Sequence, residues 1–179
     1  MMMNKDGMDI LIFCEIGNDP QTLKKAGQRI VDGKVFYFPY LDPKKIPTIG
    51  IGTISYPNGK LVTMSDPEIT EDQALEYLNY ELKEKAATLE NWAIKTGKKR
   101  TLNQFSALLC FSYNEGCGPI ITPGGTLNKA LLGGNEQEIR NAFALYNKIT
   151  VKFLGIPYKK VLNGLTIRRK MEADLYFKV

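Results

Sequence analysis

Asp42 and Thr48, a carboxylate and a hydroxyl six positions apart, lie in the stretch Tyr40-Leu41-Asp42-Pro43-Lys44-Lys45-Ile46-Pro47-Thr48-Ile49-Gly50-Ile51-Gly52. They can face one cleft if Pro43-Lys44-Lys45 folds back as a turn, which would make half of an acid–base site. The other half needs a second carboxyl group, and Glu15 is the candidate. It falls in the last turn of an apolar run, where unpaired carbonyls disfavour an ionised carboxylate and push its pKa upward, the direction a general acid needs. The chain has no histidine, so Ser-His and Cys-His schemes and histidine metal sites are excluded. Acid–base chemistry must use carboxylates, Lys or Tyr. On residue types alone, plainer readings stay open: Asp-Pro as a turn opener, Gly50 and Gly52 as marks of a bulge, and Glu15 as an exposed residue at a frayed helix end.

These groups depend on the elements that carry them. Met8-Asp9-Ile10-Leu11-Ile12-Phe13-Cys14 reads as a short buried helix with Asn4 or Asp6 as cap, ended by Gly17-Asn18-Asp19-Pro20. Asp32-Gly33 between β-rich runs predicts a hairpin, in which Asp32 is a turn residue. Tyr56 to Lys60 forms another turn, completing a small antiparallel sheet. Thr70-Glu71-Asp72-Gln73 has the form of a capping box and opens a helix to Lys95, with Leu75, Leu78, Leu82, Ala86, Leu89 and Ala93 on one face. Further helices are expected over Thr101 to Glu115 (Leu102, Phe105, Leu108, Leu109 and Phe111 inward), Thr126 to Leu132, Asn135 to Tyr146 (Ile139, Ala142, Phe143 and Leu145 inward), and about Leu165 to Phe177 after an Asn163-Gly164 turn.

At 179 residues, 44% hydrophobic and 24% charged, the chain has the composition of one globular domain able to bury a core. No run has the length of a membrane-spanning helix, and the start lacks signal-peptide order, so synthesis and retention in the cytoplasm are expected. Cys14, Cys110 and Cys117 have no metal-like spacing, lie in or beside apolar segments, and read as buried free thiols. The net charge of +5 suits an anionic partner, but the lysines and arginines are dispersed and accompany no nucleic-acid-binding motif.

Four blocks together resemble the phage-type lysozymes, the endolysin and muramidase family of glycoside hydrolases. Asn4 through Glu15 is similar to the opening helix that ends in the family's catalytic glutamate. Tyr40 through Gly52 is similar to its Tyr-x-Asp and Thr-Ile-Gly-x-Gly motif. Gln104 through Gly116 is similar to the helix flooring the cleft, and Gly164-Leu165-Thr166-Ile167-Arg168-Arg169-Lys170-Met171-Glu172-Ala173 to the closing signature. The resemblance implies an α+β, lysozyme-like single domain over 1–179. A small mixed N-terminal lobe (about 1–69) with an antiparallel hairpin sheet is joined by a long helix (about 70–95) to a helical C-terminal lobe (about 96–179).

It also implies cleavage of the β-1,4 bond between N-acetylmuramic acid and N-acetylglucosamine by an inverting mechanism. Glu15 is then the acid, and Asp42 and Thr48 position a water. Tyr40, Ile54, Gln104, Tyr113, Asn114, Thr126 and Asn147 are the implied substrate contacts, and the glycines at 50 and 52 let backbone approach the glycan. Arg168 and Arg169 are assigned to interlobe or helix-terminus pairing. The implied partner is bacterial peptidoglycan, with no metal or cofactor, no nucleic acid and no membrane insertion, for a monomer acting at the wall after release. The alternative is a catalytically impaired lysozyme fold that binds glycan or serves a structural role; a nucleic-acid-binding protein has only the net charge in its favour.

Two departures stand out. The 26 residues between Glu15 and Asp42 exceed the family's usual spacing and read as an insertion holding the Asp32-Gly33 hairpin, since surface loops lengthen at small entropic cost. The rival alignment makes Asp32-Gly33 the counterpart of the family's Glu-Gly pair, but no helix is predicted before Asp32. In addition, Thr53 stands where a histidine commonly follows the last glycine.

Overall fold

The computed structural model describes residues 1–42, 44–153 and 156–179. Pro43, part of the expected turn after Asp42, lies outside the described residues. The chain forms two compact units, residues 12–84 and residues 1–11 with 85–179, each taken by itself below. The chain passes between them within helices α1 (Lys5–Ile16) and α3 (Glu71–Thr96).

Helix α1 starts where Asn4 Oδ1 accepts from the Gly7 amide at 2.9 Å, satisfying one of the donors a helix start leaves orphaned. It stops at Gly17, whose φ of 75° is the left-handed conformation glycine adopts without a Cβ clash. A Cβ there would run into the Thr22 side chain. Asp19 then caps α2 (Pro20–Lys25), with Pro20 opening the helix.

In the 12–84 unit the expected hairpin is present. Strands β1 (Gln28–Val31) and β2 (Lys34–Tyr37) pair antiparallel, with Val31 opposite Lys34 across a two-residue turn. Asp32 at φ 49° and Gly33 at φ 76° give the turn that matches strand twist. β5 (Ile69–Thr70) pairs with the other edge of β2, while β3 (Tyr40–Leu41) and β4 (Pro47–Thr48) form a separate pair. Strand β4 ends at Thr48. Ile49 and Thr53 instead exchange backbone hydrogen bonds of 2.9 and 3.1 Å around a tight loop. Gly50 and Gly52 both have positive φ there, and a Cβ on Gly50 would sit 3.0 Å from that of Ala74. These glycines thus serve loop geometry and the close approach of α3. The Thr70–Gln73 capping box opens α3 as expected. Its most buried positions are Ala74, Leu78, Leu82, Leu89 and Trp92; Leu75, Ala86 and Ala93 are half-buried, a rotation of the apolar stripe by about one position.

The other unit contains α4 (Leu102–Glu115), α5 (Gly118–Ile121), α6 (Thr126–Gly133), α7 (Glu136–Ala144) and α8 (Asn163–Phe177). Capping boxes open α4 (Thr101 with Gln104) and α7 (Asn135 with Glu138). Leu102, expected inward, is exposed, because it is the first helical residue and precedes the buried run Phe105–Ser112. Leu145 is also exposed, since α7 ends at Ala144 rather than Tyr146. Asn163-Gly164 is the first turn of α8, not a turn before it. The single turn α5 and the antiparallel hairpin of β6 (Lys148–Phe153) and β7 (Ile156–Val161) escape the sequence reading. Phe111 lies edge-on to Phe143 at 5.5 Å and to Tyr146 at 5.1 Å, an arrangement favoured by the ring quadrupoles.

Arg168, Arg169 and Glu172 pair along α8, with Arg169 1% and Glu172 0% exposed. Arg168 Nε donates to Glu172 Oε1 at 3.1 Å, and Arg169 Nη2 donates to the same oxygen at 3.1 Å and to Asn114 Oδ1 at 2.9 Å. The Arg169 guanidinium also lies 4.6 Å from the Phe111 ring centre. Burial pushes the Glu172 carboxyl up, and Arg169 and Arg168 oppose that shift.

Candidate active site

Glu15 is the penultimate residue of α1 and half-buried. The helix has to end there because Gly17 leaves helical φ and Asp19-Pro20 starts α2. The chain returns as β3, and Asp42, separated from Glu15 by 26 residues, follows its last residue.

The Asp42 carboxylate organises its own turn. Oδ1 accepts from the Lys44 and Ile46 amides, both at 2.8 Å, and the Asp42 amide donates to the Ile46 carbonyl at 3.0 Å. This is the local side-chain-to-backbone bonding that short polar residues bring to turns. Lys45, at φ 67°, occupies a left-handed position rare for a residue with a Cβ. The turn sets the β3–β4 register, with Tyr40 opposite Thr48 and Leu41 opposite Pro47.

Glu15, Tyr40 and Asp42 line one open cavity of about 600 Å³ within the 12–84 unit. Burial pushes the Tyr40 phenol up to about 12, and the negative charges of Glu15 and Asp42 add to the shift. The phenol is therefore neutral and a hydrogen-bond donor throughout the ordinary pH range.

Thr48 is placed differently. It is 3% exposed, is not among the residues lining that cavity, and donates its hydroxyl to the Ile46 carbonyl at 3.0 Å. Its oxygen keeps lone pairs with which to accept.

Ile54 is exposed in the same unit. The remaining residues named from the resemblance belong to the other unit. Gln104 accepts from the Thr101 amide in the α4 cap, and the Tyr113 ring centre is 5.7 Å from Lys85 Nζ. Asn114 is held by Arg169. Thr126 lines a separate cavity of about 490 Å³ beside Lys129 and Glu138. Asn147 donates to Thr166 Oγ1 at 3.1 Å.

Sequence reasoning did not single out Thr22, Lys25 or Lys45, which share the cavity with the two carboxylates. Thr22 and Lys25 are three apart on α2, hence on one helix face. The Asp19-Pro20 start signal could have placed them there. Asp32 is exposed at the β1–β2 turn, preceded by a strand rather than a helix. Among the described residues, no cluster of three or more Cys, Asp or Glu is placed to hold a metal ion.

Comparison with known proteins adds a family. The phage lysozyme family model matches residues 35–172, a span that includes Asp42 and Thr48 and starts after Glu15. An endolysin of Bacillus phage B103 is 38% identical over 76 residues, covering 42% of this chain and 25% of that protein, so the match spans a quarter of the relative's length. The structure of an endolysin from Escherichia coli O157:H7 phage FAHEc1 superposes with a TM-score of 0.72 at 32% identity, covering 99% of this chain and 94% of that one. The muramidase domain of SpmX from Asticaccaulis excentricus shares the fold, with a TM-score of 0.65 at 20% identity over 99% of both chains.

Proposed function

The chain belongs to the phage lysozyme family, and from that premise we infer that it is a lysozyme: a peptidoglycan hydrolase cleaving the β-1,4 bond between N-acetylmuramic acid and N-acetylglucosamine. Glu15 donates a proton to the leaving oxygen. Asp42 and Thr48 hold a water on the opposite face of the sugar, so the anomeric configuration inverts. Tyr40, neutral and beside both carboxylates, donates a hydrogen bond at the reacting ring.

The observation that carries this reading is that Glu15 and Asp42, with 26 residues between them in sequence, line one cavity together with Tyr40. A pair of carboxyls at a sugar-sized opening is what acid-assisted glycoside hydrolysis needs. Ile54, Gln104, Tyr113, Asn114, Thr126 and Asn147 are proposed to contact glycan at further subsites. The net charge of +5 favours encounter with the anionic wall, an effect on rate that fades with salt. The enzyme is proposed to work as a monomer.

The second reading, a lysozyme fold that binds glycan without turnover, is favoured by the absence of Thr48 from the cavity lining. The two separate cleanly in one experiment, proton NMR of the reducing ends released from soluble glycan strands. Inverting hydrolysis delivers the α-anomer first. First appearance of the β-anomer would replace the water mechanism with a retaining one, and binding without new reducing ends would establish the second reading.

A further inference from the structure

The β6–β7 hairpin has no part in the proposed chemistry and an unusual composition. Between Lys148 and Val161 there are four lysines, Lys148, Lys152, Lys159 and Lys160, and no Asp or Glu. Every residue of β7 is exposed, including Ile156 at 70% and Tyr158 at 48%.

The register distributes these residues over two faces, because directly opposed residues of an antiparallel pair share a face. Lys148 opposes Val161, Thr150 opposes Lys159 and Lys152 opposes Pro157. The Lys159 ammonium donates to Thr150 Oγ1 at 2.9 Å, as that register requires. On the other face Val151 opposes Tyr158 and Ile149 opposes Lys160. Along β7 the order from the turn outward is Ile156, Pro157, Tyr158, then Lys159 and Lys160. At about 3.3 Å per residue, both lysines stand within about 15 Å of Ile156.

We propose that this hairpin docks the protein peripherally on an anionic lipid surface, with Ile156 and Tyr158 at the headgroup boundary and the lysines against anionic headgroups. Two observations select this partner. A polyanion in water, whether nucleic acid or a phosphate-bearing wall polymer, would engage the lysines and leave Ile156 and Tyr158 exposed. A second copy of the chain could cover the apolar face but would bring lysines against lysines in a region without a carboxylate. A lipid surface accommodates both features, since apolar and aromatic side chains settle at the interface while basic residues meet its negative potential. The attraction acts within about 8 Å at physiological salt, and Lys160, on the same face as Ile156 and Tyr158 and two residues from Tyr158, or about 7 Å along the strand, lies within that reach. No helix among the described residues is long and apolar enough to cross a membrane, so the association is with the surface. This proposal stands independently of the hydrolase reading.

The test is co-sedimentation of the full chain with vesicles of phosphatidylcholine alone or mixed with phosphatidylglycerol, at low and high salt, without peptidoglycan. Wild type should bind the mixed vesicles, release at high salt and ignore phosphatidylcholine. The Lys159→Glu/Lys160→Glu and Ile156→Asn/Tyr158→Ser variants should each bind about tenfold more weakly or worse, with unchanged circular dichroism. Tyr158→Trp should show a blue shift of its fluorescence on the mixed vesicles. Failure of wild type to bind, or binding as tight as wild type by both double variants, overturns the proposal. So does a hairpin-dependent dimer in sedimentation velocity without vesicle binding, or hairpin-dependent retention only on nucleic acid or wall polymer.

Discussion

Tyr40 stands directly opposite Thr48 in the two-residue pairing of β3 with β4, so the residue lining the cavity and the residue proposed to hold water project from the same face of one small ribbon. Thr48 is nearly inaccessible and Tyr40 half-buried. The hydroxyl can be removed with little change of shape. Thr48→Val should lose at most about 1–2 kcal/mol of stability while slowing peptidoglycan clearing substantially. Thr48→Glu should fold poorly, because it places a carboxylate in a buried site. Thermal denaturation beside a turbidity assay checks both, and a fully active Thr48→Val would remove Thr48 from the mechanism.

Asp42 holds its turn and is proposed to position the attacking water, two tasks that substitution can separate. Asparagine keeps the oxygen that accepts from Lys44 and Ile46 but removes the charge; alanine removes both. Asp42→Asn should remain about as stable as wild type and be inactive. Asp42→Ala should be inactive and less stable by about 1–3 kcal/mol. Equal stability of the two variants would mean that the turn does not depend on the side chain.

Asp66 gives the 12–84 unit a pH dependence. It accepts from the Thr63 amide at 3.0 Å, the Thr63 hydroxyl at 2.8 Å and the Tyr56 hydroxyl at 2.9 Å. These bonds, the Thr63 amide first, hold its carboxyl well below the usual carboxylate range. A depressed folded-state pKa means that the unfolded chain binds the proton more readily, so the contribution is whole above about pH 4 and is lost as pH falls further. Asp66→Asn should therefore differ most from wild type near neutrality and converge with it in acid. Denaturant titrations at pH 7 and pH 3 measure this, and a gap that widens in acid would contradict the assignment.

Glu172 neutralises two buried guanidinium groups. Glu172→Ala should cost about 3–5 kcal/mol, the cost of leaving buried charge unpaired. Replacing Arg169 and Glu172 together by apolar residues should cost less than the sum of the two single replacements, although buried Arg168 then also loses its carboxylate partner. A double-mutant cycle at 169 and 172, read by urea denaturation, decides this; additive effects would show the two side chains to be uncoupled.

Local chemistry explains which elements could be read from sequence. Asp32-Gly33, the Thr70–Gln73 box, Asn135 and the stop at Gly17 each carry their instruction within a few residues, and each element is present. The β3–β4 turn was readable for the same reason, because Asp42 bonds to amides two and four positions on. The β6–β7 hairpin was not: Pro157 argues against a strand interior, and β7 buries nothing that would sharpen an alternating pattern. Leu145 and Leu102 misled because the inward face of a helix depends on where it ends. In the candidate site, Glu15 and Asp42 were legible as residue types, but their shared cavity depends on a detour of chain whose path no local signal specifies. The contributions of Lys25 and Lys45 to that cavity follow from the same detour.

Asp32 offers a control on the Glu15 assignment. It is exposed, its positive φ suits asparagine equally well, and Asp32→Asn should change stability by less than about 0.5 kcal/mol and leave clearing intact.

The most direct measurement is the clearing of a peptidoglycan suspension by wild type beside Glu15→Gln, both verified as folded by circular dichroism. Loss of a positioned general acid should slow clearing by about 100-fold or more. Wild-type clearing by Glu15→Gln, above all with an inactive Asp32→Asn, would move the acid to the β1–β2 turn and contradict the pairing of Glu15 with Asp42.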